Sequence, residues 1–132
     1  MSRRSEAQIQ CPMDALLRLL MGPWTTVILW VLRQNGPLRY GRIKRHVSGI
    51  SSRMLTERLR LLEDAGILYR SYLPTIPPQV TYGLTGRGEE LGPVLDCLDD
   101  LARKWQKEDK KRVAPRKEKL AKQNGAKHRP VA

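Results

Sequence analysis

The stretch Ile50–Gly66, ISSRMLTERLRLLEDAG, constrains this chain more than any other. Leu55, Leu59 and Leu62 recur at i, i+4 and i+7, the spacing of a single apolar stripe on a helix, and predict a side that faces a core. Ser51 or Ser52, just ahead of the periodic run, offers a hydroxyl to an unpaired amide of the first turn. Gly66 supplies the left-handed stop at which helices commonly end. At about 100° per residue, Arg53, Thr56, Glu57 and Arg60 fall away from the leucines. Arginine pairs with guanine and a threonine methyl suits thymine, so this face fits a DNA major groove. A solvated charged helix carries the same residues, and the flanking chain decides between the two.

Ahead of this helix, Ser48-Gly49 makes a tight turn from a short helix over Gly41–His46, whose Ile43 and Val47 point inward. Two helices joined through a glycine turn form the helix-turn-helix pattern. Behind it, Ile67–Leu73 is β-rich, Pro74, Pro77 and Pro78 bar a central strand, and Val80–Leu84 resumes β character. The pair predicts a hairpin, the wing. Towards the N-terminus, Pro12 opens a helix over residues 12–21, with Leu16, Leu17, Leu20 and Met21 as its apolar face. Gly22-Pro23 breaks it. Trp24–Arg33 is apolar nearly all round, which predicts burial on several sides. Leu38-Arg39-Tyr40 has room for a minimal strand only. A last helix, capped by Thr85, is placed over Gly86–Lys110. Pro93 is expected to kink it, and Leu91, Leu95, Leu98, Ala102 and Trp105 to form its stripe. The fold class is mainly α with a small β-hairpin: a winged helix-turn-helix.

The 132 residues suit one domain, and a net charge of +12 with a pI near 10.3 argues for an anionic partner, nucleic acid before membrane, which with the helix-turn-helix means double-stranded DNA. Residues 107–132 hold ten Lys/Arg against three acids, and the rest fifteen against ten. The chain is therefore divided into an N-terminal arm (1–10), a winged DNA-binding and dimerisation domain (11–108) and a basic tail (109–132). Sparse apolar residues and Pro115 predict disorder in that tail. The longest strongly apolar run, Val27–Leu32, is far short of a membrane span, and MSRRSEAQIQ lacks an apolar signal core, so a cytoplasmic, nucleoid-associated protein is expected. Two cysteines without zinc-type spacing predict neither a disulfide framework nor a metal site. No cofactor is expected.

Taken together, Cys11-Pro12, Gly22-Pro23-Trp24 and Gly36-Pro37-Leu38-Arg39-Tyr40 resemble the HxlR-type regulators, bacterial winged-helix transcription factors related to the MarR group. The likeness continues through Gly49-Ile50-Ser51, Met54-Leu55-Thr56 and Leu59–Glu63, then Pro77-Pro78, Val80, Tyr82, Leu84-Thr85 and Pro93-Val94-Leu95. It spans about residues 11–105. Arg42, at a usually acidic position, Ser48, where proline is common, and the basic tail depart from the family pattern. The resemblance implies DNA contact by Arg53, Thr56 and Arg60 of the recognition helix. It also implies dimer formation through the first and last helices, which fits apolar surface on Leu16, Leu20, Leu98 and Trp105.

For each such residue a structural role competes with the functional one. Arg60 could pair with Glu63 or Asp64 instead of DNA. Ser51 and Ser52 are caps before they are readers, although a helix N-terminus also suits phosphate. Arg39, Arg42, Lys44 and Arg45 suit phosphate positioning, with a solvated face as the plain alternative. On the wing, Arg70 is the nearest base to an uncharged tip, and Gln79 completes the set. Cys11, at the first helix's N-cap, sits where the helix dipole and free amides favour a thiolate. The family includes regulators that sense oxidants or electrophiles through a cysteine there; the alternative is a small buried cap. Cys97 is expected to pack as a small hydrophobe. His46 and His128 lack a nucleophile or ligand partner, and no enzyme is indicated. The leading function is a homodimeric, sequence-specific transcriptional regulator, switched by oxidation or alkylation of Cys11. A nucleoid-packaging protein without strong sequence preference is the alternative.

Overall fold

A computed structural model describes residues 11–124, with side chains through Val113. The arm (1–10) and residues 125–132 of the tail lie outside the described residues. The chain divides at Gly92/Pro93 into two compact units.

In the first unit, α1 (Pro12–Leu20) starts with Pro12, whose missing N–H is spare in a first turn. Asp14 and Arg18, one turn apart, pair at 2.8 Å on its outer side. Leu20 is only 7% exposed, so it belongs to the chain's own core and not to surplus apolar surface. Met13, Leu16 and Leu17 are the exposed apolar residues of this helix. Trp24 takes φ 69°, a left-handed value that costs a bulky residue about 1–3 kcal/mol. The next helix therefore begins one residue later than its apolar pattern suggests, as α2 (Thr25–Asn35), and ends on Gly36 at φ 75°. Its Ile28, Leu29 and Leu32 are almost fully enclosed, as expected for a helix apolar on most sides.

β1 (Leu38–Arg39) runs straight into α3 (Tyr40–His46), which buries Ile43, and the following Val47 is also buried. Gly49, at φ 92°, turns the chain into α4 (Ser52–Asp64). Ser51 is the N-cap: its Oγ accepts from the Met54 amide at 3.1 Å. Leu55, Leu59 and Leu62 are completely buried, as their spacing requires. At the other end, the Ile67 amide bonds to the Leu62 carbonyl and the Gly66 amide to the Glu63 carbonyl, both at 2.9 Å. With Gly66 at φ 75°, these bonds make a Schellman stop.

The wing is β2 (Leu68–Leu73) paired antiparallel with β3 (Gln79–Leu84), in register from Leu68↔Leu84 to Leu73↔Gln79. β1 adds to the other edge of β3 through Leu38↔Tyr82 and Arg39↔Thr81. The sheet therefore has three strands in the order β1-β3-β2, one more than the hairpin alone. Two residues sufficed for β1 because β3 had a free edge to satisfy its backbone groups.

Thr85 caps α5 (Gly86–Glu90), accepting from the Gly88 amide at 3.1 Å. The single helix placed over Gly86–Lys110 is two helices. The chain breaks at Leu91, and α6 (Gly92–Asn124) starts with Pro93 in its first turn. In a continuous helix Pro93 would clash with the carbonyl one turn back, whereas a first turn tolerates it.

In the second unit α6 is helical through residue 124, where the composition predicted a disordered tail from residue 109. Lys110, Lys111, Arg112 and Ala114 before Pro115, and Arg116 to Ala121 after it, are good helix formers, although the proline itself disfavours a helix interior. Val94, Leu98, Leu101 and Trp105, spaced 4, 3 and 4 apart, are 49, 55, 39 and 56% exposed. Leu91 and Leu95, expected on the same stripe as Leu98 and Trp105, are buried instead. Cys97 is exposed, contrary to its expected packing. Asp99 accepts from Arg103 at 2.8 Å, and this hydrogen bond with its charge raises the guanidinium pKa above its usual value.

Candidate nucleic-acid interface

Three segments distant in sequence build one basic surface in the first unit. The β1–α3 junction contributes Arg39, Arg42 and Arg45, spaced so that all three escape the buried side marked by Ile43. Tyr82 sits in β3 opposite Leu38, and Arg70, its partner across the wing, is in β2. Together with Tyr40, Pro77, Pro78, Gln79 and Val80 these residues line an open groove of about 540 Å³. Among the described residues none of the four arginines has a carboxylate partner. The Arg70 guanidinium lies 5.7 Å from the Tyr72 ring centre, a cation–π contact that steadies it without neutralising it. Four arginines along one groove, without carboxylate partners among the described residues, suit anions.

A second cleft, of about 310 Å³, is lined by Thr56, Arg60, Glu63, Arg70 and Tyr82. Arg70 and Tyr82 belong to both cavities, so wing and recognition helix share a wall. Arg60 makes no ion pair among the described residues, so the pairing with Glu63 or Asp64 that competed with DNA contact does not form. Arg53, its side chain 91% exposed, pairs with Glu57 at 3.4 Å. An exposed pair at i, i+4 contributes only about 0.3–0.5 kcal/mol, so DNA can displace it readily.

The first turn of α4 is held by α3. Lys44 donates to Ser52 Oγ at 2.8 Å, and the Tyr40 hydroxyl donates to the Ser52 carbonyl at 2.9 Å. That hydroxyl also lies 3.1 Å from Thr56 Oγ1. Ser51 serves as the cap, and Ser52, exposed beside it, has no capping duty.

Two roles escape the sequence: that of Tyr40, which reads as the end of a minimal strand and of a family-like stretch, and that of Arg58. The Arg58 Nη1 lies 2.7 Å from where a Cβ on Gly22 would be, so its guanidinium fills the turn between α1 and α2. Its Nε is buried without a hydrogen-bond partner among the described residues. Helical spacing alone separates Arg58 from the outward arginines, but its use against Gly22 is a tertiary matter.

Cys11 lies away from both cavities. It is the N-cap of α1, partly exposed, and its Sγ accepts from the Asp14 amide at 3.4 Å. Among the described residues, no group of three or more His, Cys, Asp or Glu is placed to hold a metal ion. No single helix there is long and apolar enough to cross a membrane.

Comparison with known proteins agrees with this geometry. An HTH-type transcriptional regulator of Synechocystis is 40% identical over 95 residues, 72% of this chain and 70% of its own. The transcriptional regulator YodB of B. subtilis, solved in its reduced form, is similar with a TM-score of 0.63 at 37% identity, over 70% of this chain and 91% of its own. The redox regulator HypR in its oxidized form is similar with a TM-score of 0.66 at 31% identity, over 71% of this chain and 96% of its own. The family model for the HxlR-like helix-turn-helix matches residues 19–110. With its winged fold, buried leucine stripe and basic surface, the chain belongs to the HxlR-like helix-turn-helix family of transcriptional regulators.

Proposed function

We propose that this chain is a cytoplasmic, homodimeric regulator that binds specific DNA sequences and releases or grips them according to the oxidation state of Cys11. The observation that carries the DNA reading is the four-arginine groove beside α4, whose guanidinium groups have no carboxylate partner among the described residues. In this reading α4 enters the major groove, where Arg53, Thr56 and Arg60 face base edges, with Glu57 beside them. Arg39, Arg42, Lys44, Arg45 and Arg70 hold phosphates on either side, with Ser51, Ser52 and Gln79 as polar contacts. The wing tip carries no charge, so the cations at its base supply the electrostatic attraction there.

Homodimer formation is supported by the exposed α6 row Val94, Leu98, Leu101 and Trp105, whose 4-3-4 spacing is that of a helix-pairing seam. Leu16 of α1 adds exposed apolar area, whereas Leu20 does not. Cys11 switching is supported by its cap position and by the likeness to a redox regulator solved in oxidized and reduced forms.

Titrating specific and random DNA at several salt concentrations tests the reading. Arg39→Ala and Arg42→Ala are each expected to weaken both DNAs alike and to reduce the salt slope by about one. Equal affinity of the wild type for specific and random DNA, with all salt dependence lost on removing residues 112–132, would instead describe a packaging protein.

A further inference from the structure

The hydroxyls on the outward face of α4 are not free to act as donor or acceptor at will. Tyr40 has a single proton, and it is given to the Ser52 carbonyl, which accepts only. The hydrogen bond between Tyr40 and Thr56 can then have one polarity: Thr56 donates and the phenolic oxygen accepts. Thr56 Oγ1, exposed on the reading face, is left with open lone pairs and no proton to offer. One turn earlier the opposite holds. The Lys44 ammonium donates and cannot accept, so Ser52 Oγ receives its bond and keeps its own proton available.

We infer that α3 sets the hydrogen-bond polarity of the recognition helix, with Tyr40 as the positioning residue that makes Thr56 an acceptor-only contact. The inference rests on the sequence-specific DNA reading above and names its specificity at one position. In the major groove adenine N6 and cytosine N4 are donors, whereas guanine O6 and N7 and thymine O4 accept. Thr56 therefore selects an amine-bearing base on the strand it contacts and rejects guanine and thymine. Reading through the threonine methyl alone gives the opposite forecast, thymine. Ser52, polarised by Lys44, meets an acceptor such as a phosphate oxygen.

The test is selection from a randomised duplex pool by the full chain and by Thr56→Val, Thr56→Ser and Tyr40→Phe. Wild type is expected to restrict one position per half-site to adenine or cytosine. Thr56→Val keeps the shape but loses the acceptor, and discrimination there falls about fivefold, the worth of one hydrogen bond, while other positions hold. Thr56→Ser retains the preference. Tyr40→Phe frees the hydroxyl to donate, so guanine and thymine enter at that same position only. A general loss of packing would lower affinity without changing which base one position prefers. Should Tyr40→Phe fail to fold, the Val and Ser variants decide alone. Enrichment of thymine or guanine at the Thr56-dependent position overturns the inference, as does a Val or Phe profile identical to wild type. If wild type enriches no sequence, the DNA reading itself fails and the inference with it, a result distinct from a base preference that ignores Tyr40 and Thr56.

Discussion

Cys11 and Ser51 perform one task at two helix starts, each accepting an amide hydrogen bond from the residue three positions on. Serine is among the best residues for that task, so Cys11→Ser is expected to fold with unchanged or slightly higher thermal stability. The same substitution removes the oxidisable sulfur. Oxidant or electrophile should alter DNA affinity in wild type and leave Cys11→Ser unaffected, as read by binding titration before and after treatment. Because Cys97 is exposed, Cys97→Ser belongs in the same experiment. A response lost in Cys97→Ser and kept in Cys11→Ser would move the sensor to α6. Arg53→Ala tests base reading: it should flatten preference at one position per half-site and cost about 1–3 kcal/mol if the contact is bidentate. Caps were legible in the sequence because they depend on neighbours three residues away. Tyr40, Arg58 and the exposure of Cys97 were not, since each depends on which distant element lies opposite.

Among the elements, α4 is the most completely specified by its own residues: a serine cap, three enclosed leucines and a glycine stop. Gly66→Ala places a Cβ on a left-handed residue and should lower stability by about 1–2 kcal/mol in a denaturant titration, with the slope unchanged. Gly88→Ala should destabilise by a different route. A Cβ there would collide with the Ile67 carbonyl and press on Leu84, so α5 must shift away from the wing, at about 1–3 kcal/mol. An unchanged stability in Gly88→Ala would mean that α5 is free to move. The hairpin could be read from its prolines and alternating runs. β1 could not be read as a paired strand, because two residues carry no period and its partner is over forty residues away. The break at Leu91 was misplaced because Pro93 signals a helix start as well as a kink, and only the structure distinguishes them.

For the whole molecule, the proposed function needs charge for attraction and dimer symmetry for register. A formal charge of +12 draws the protein to any DNA, and the stretch from residue 107 carries more than half of that excess. Removing residues 112–132 should weaken binding to all sequences alike and make the salt slope shallower, with base preference intact. Trp105→Ala, in the exposed row of α6, should shift sedimentation from dimer towards monomer and weaken binding to paired half-sites far more than to one. The most direct measurement is the stoichiometry and sequence of the complex that wild type forms after selection from random DNA. Two protomers on inverted half-sites about 34–36 Å apart, one turn of B-DNA, are the expected result. A single protomer bound at saturation, or a selected pool with no shared sequence, would contradict it.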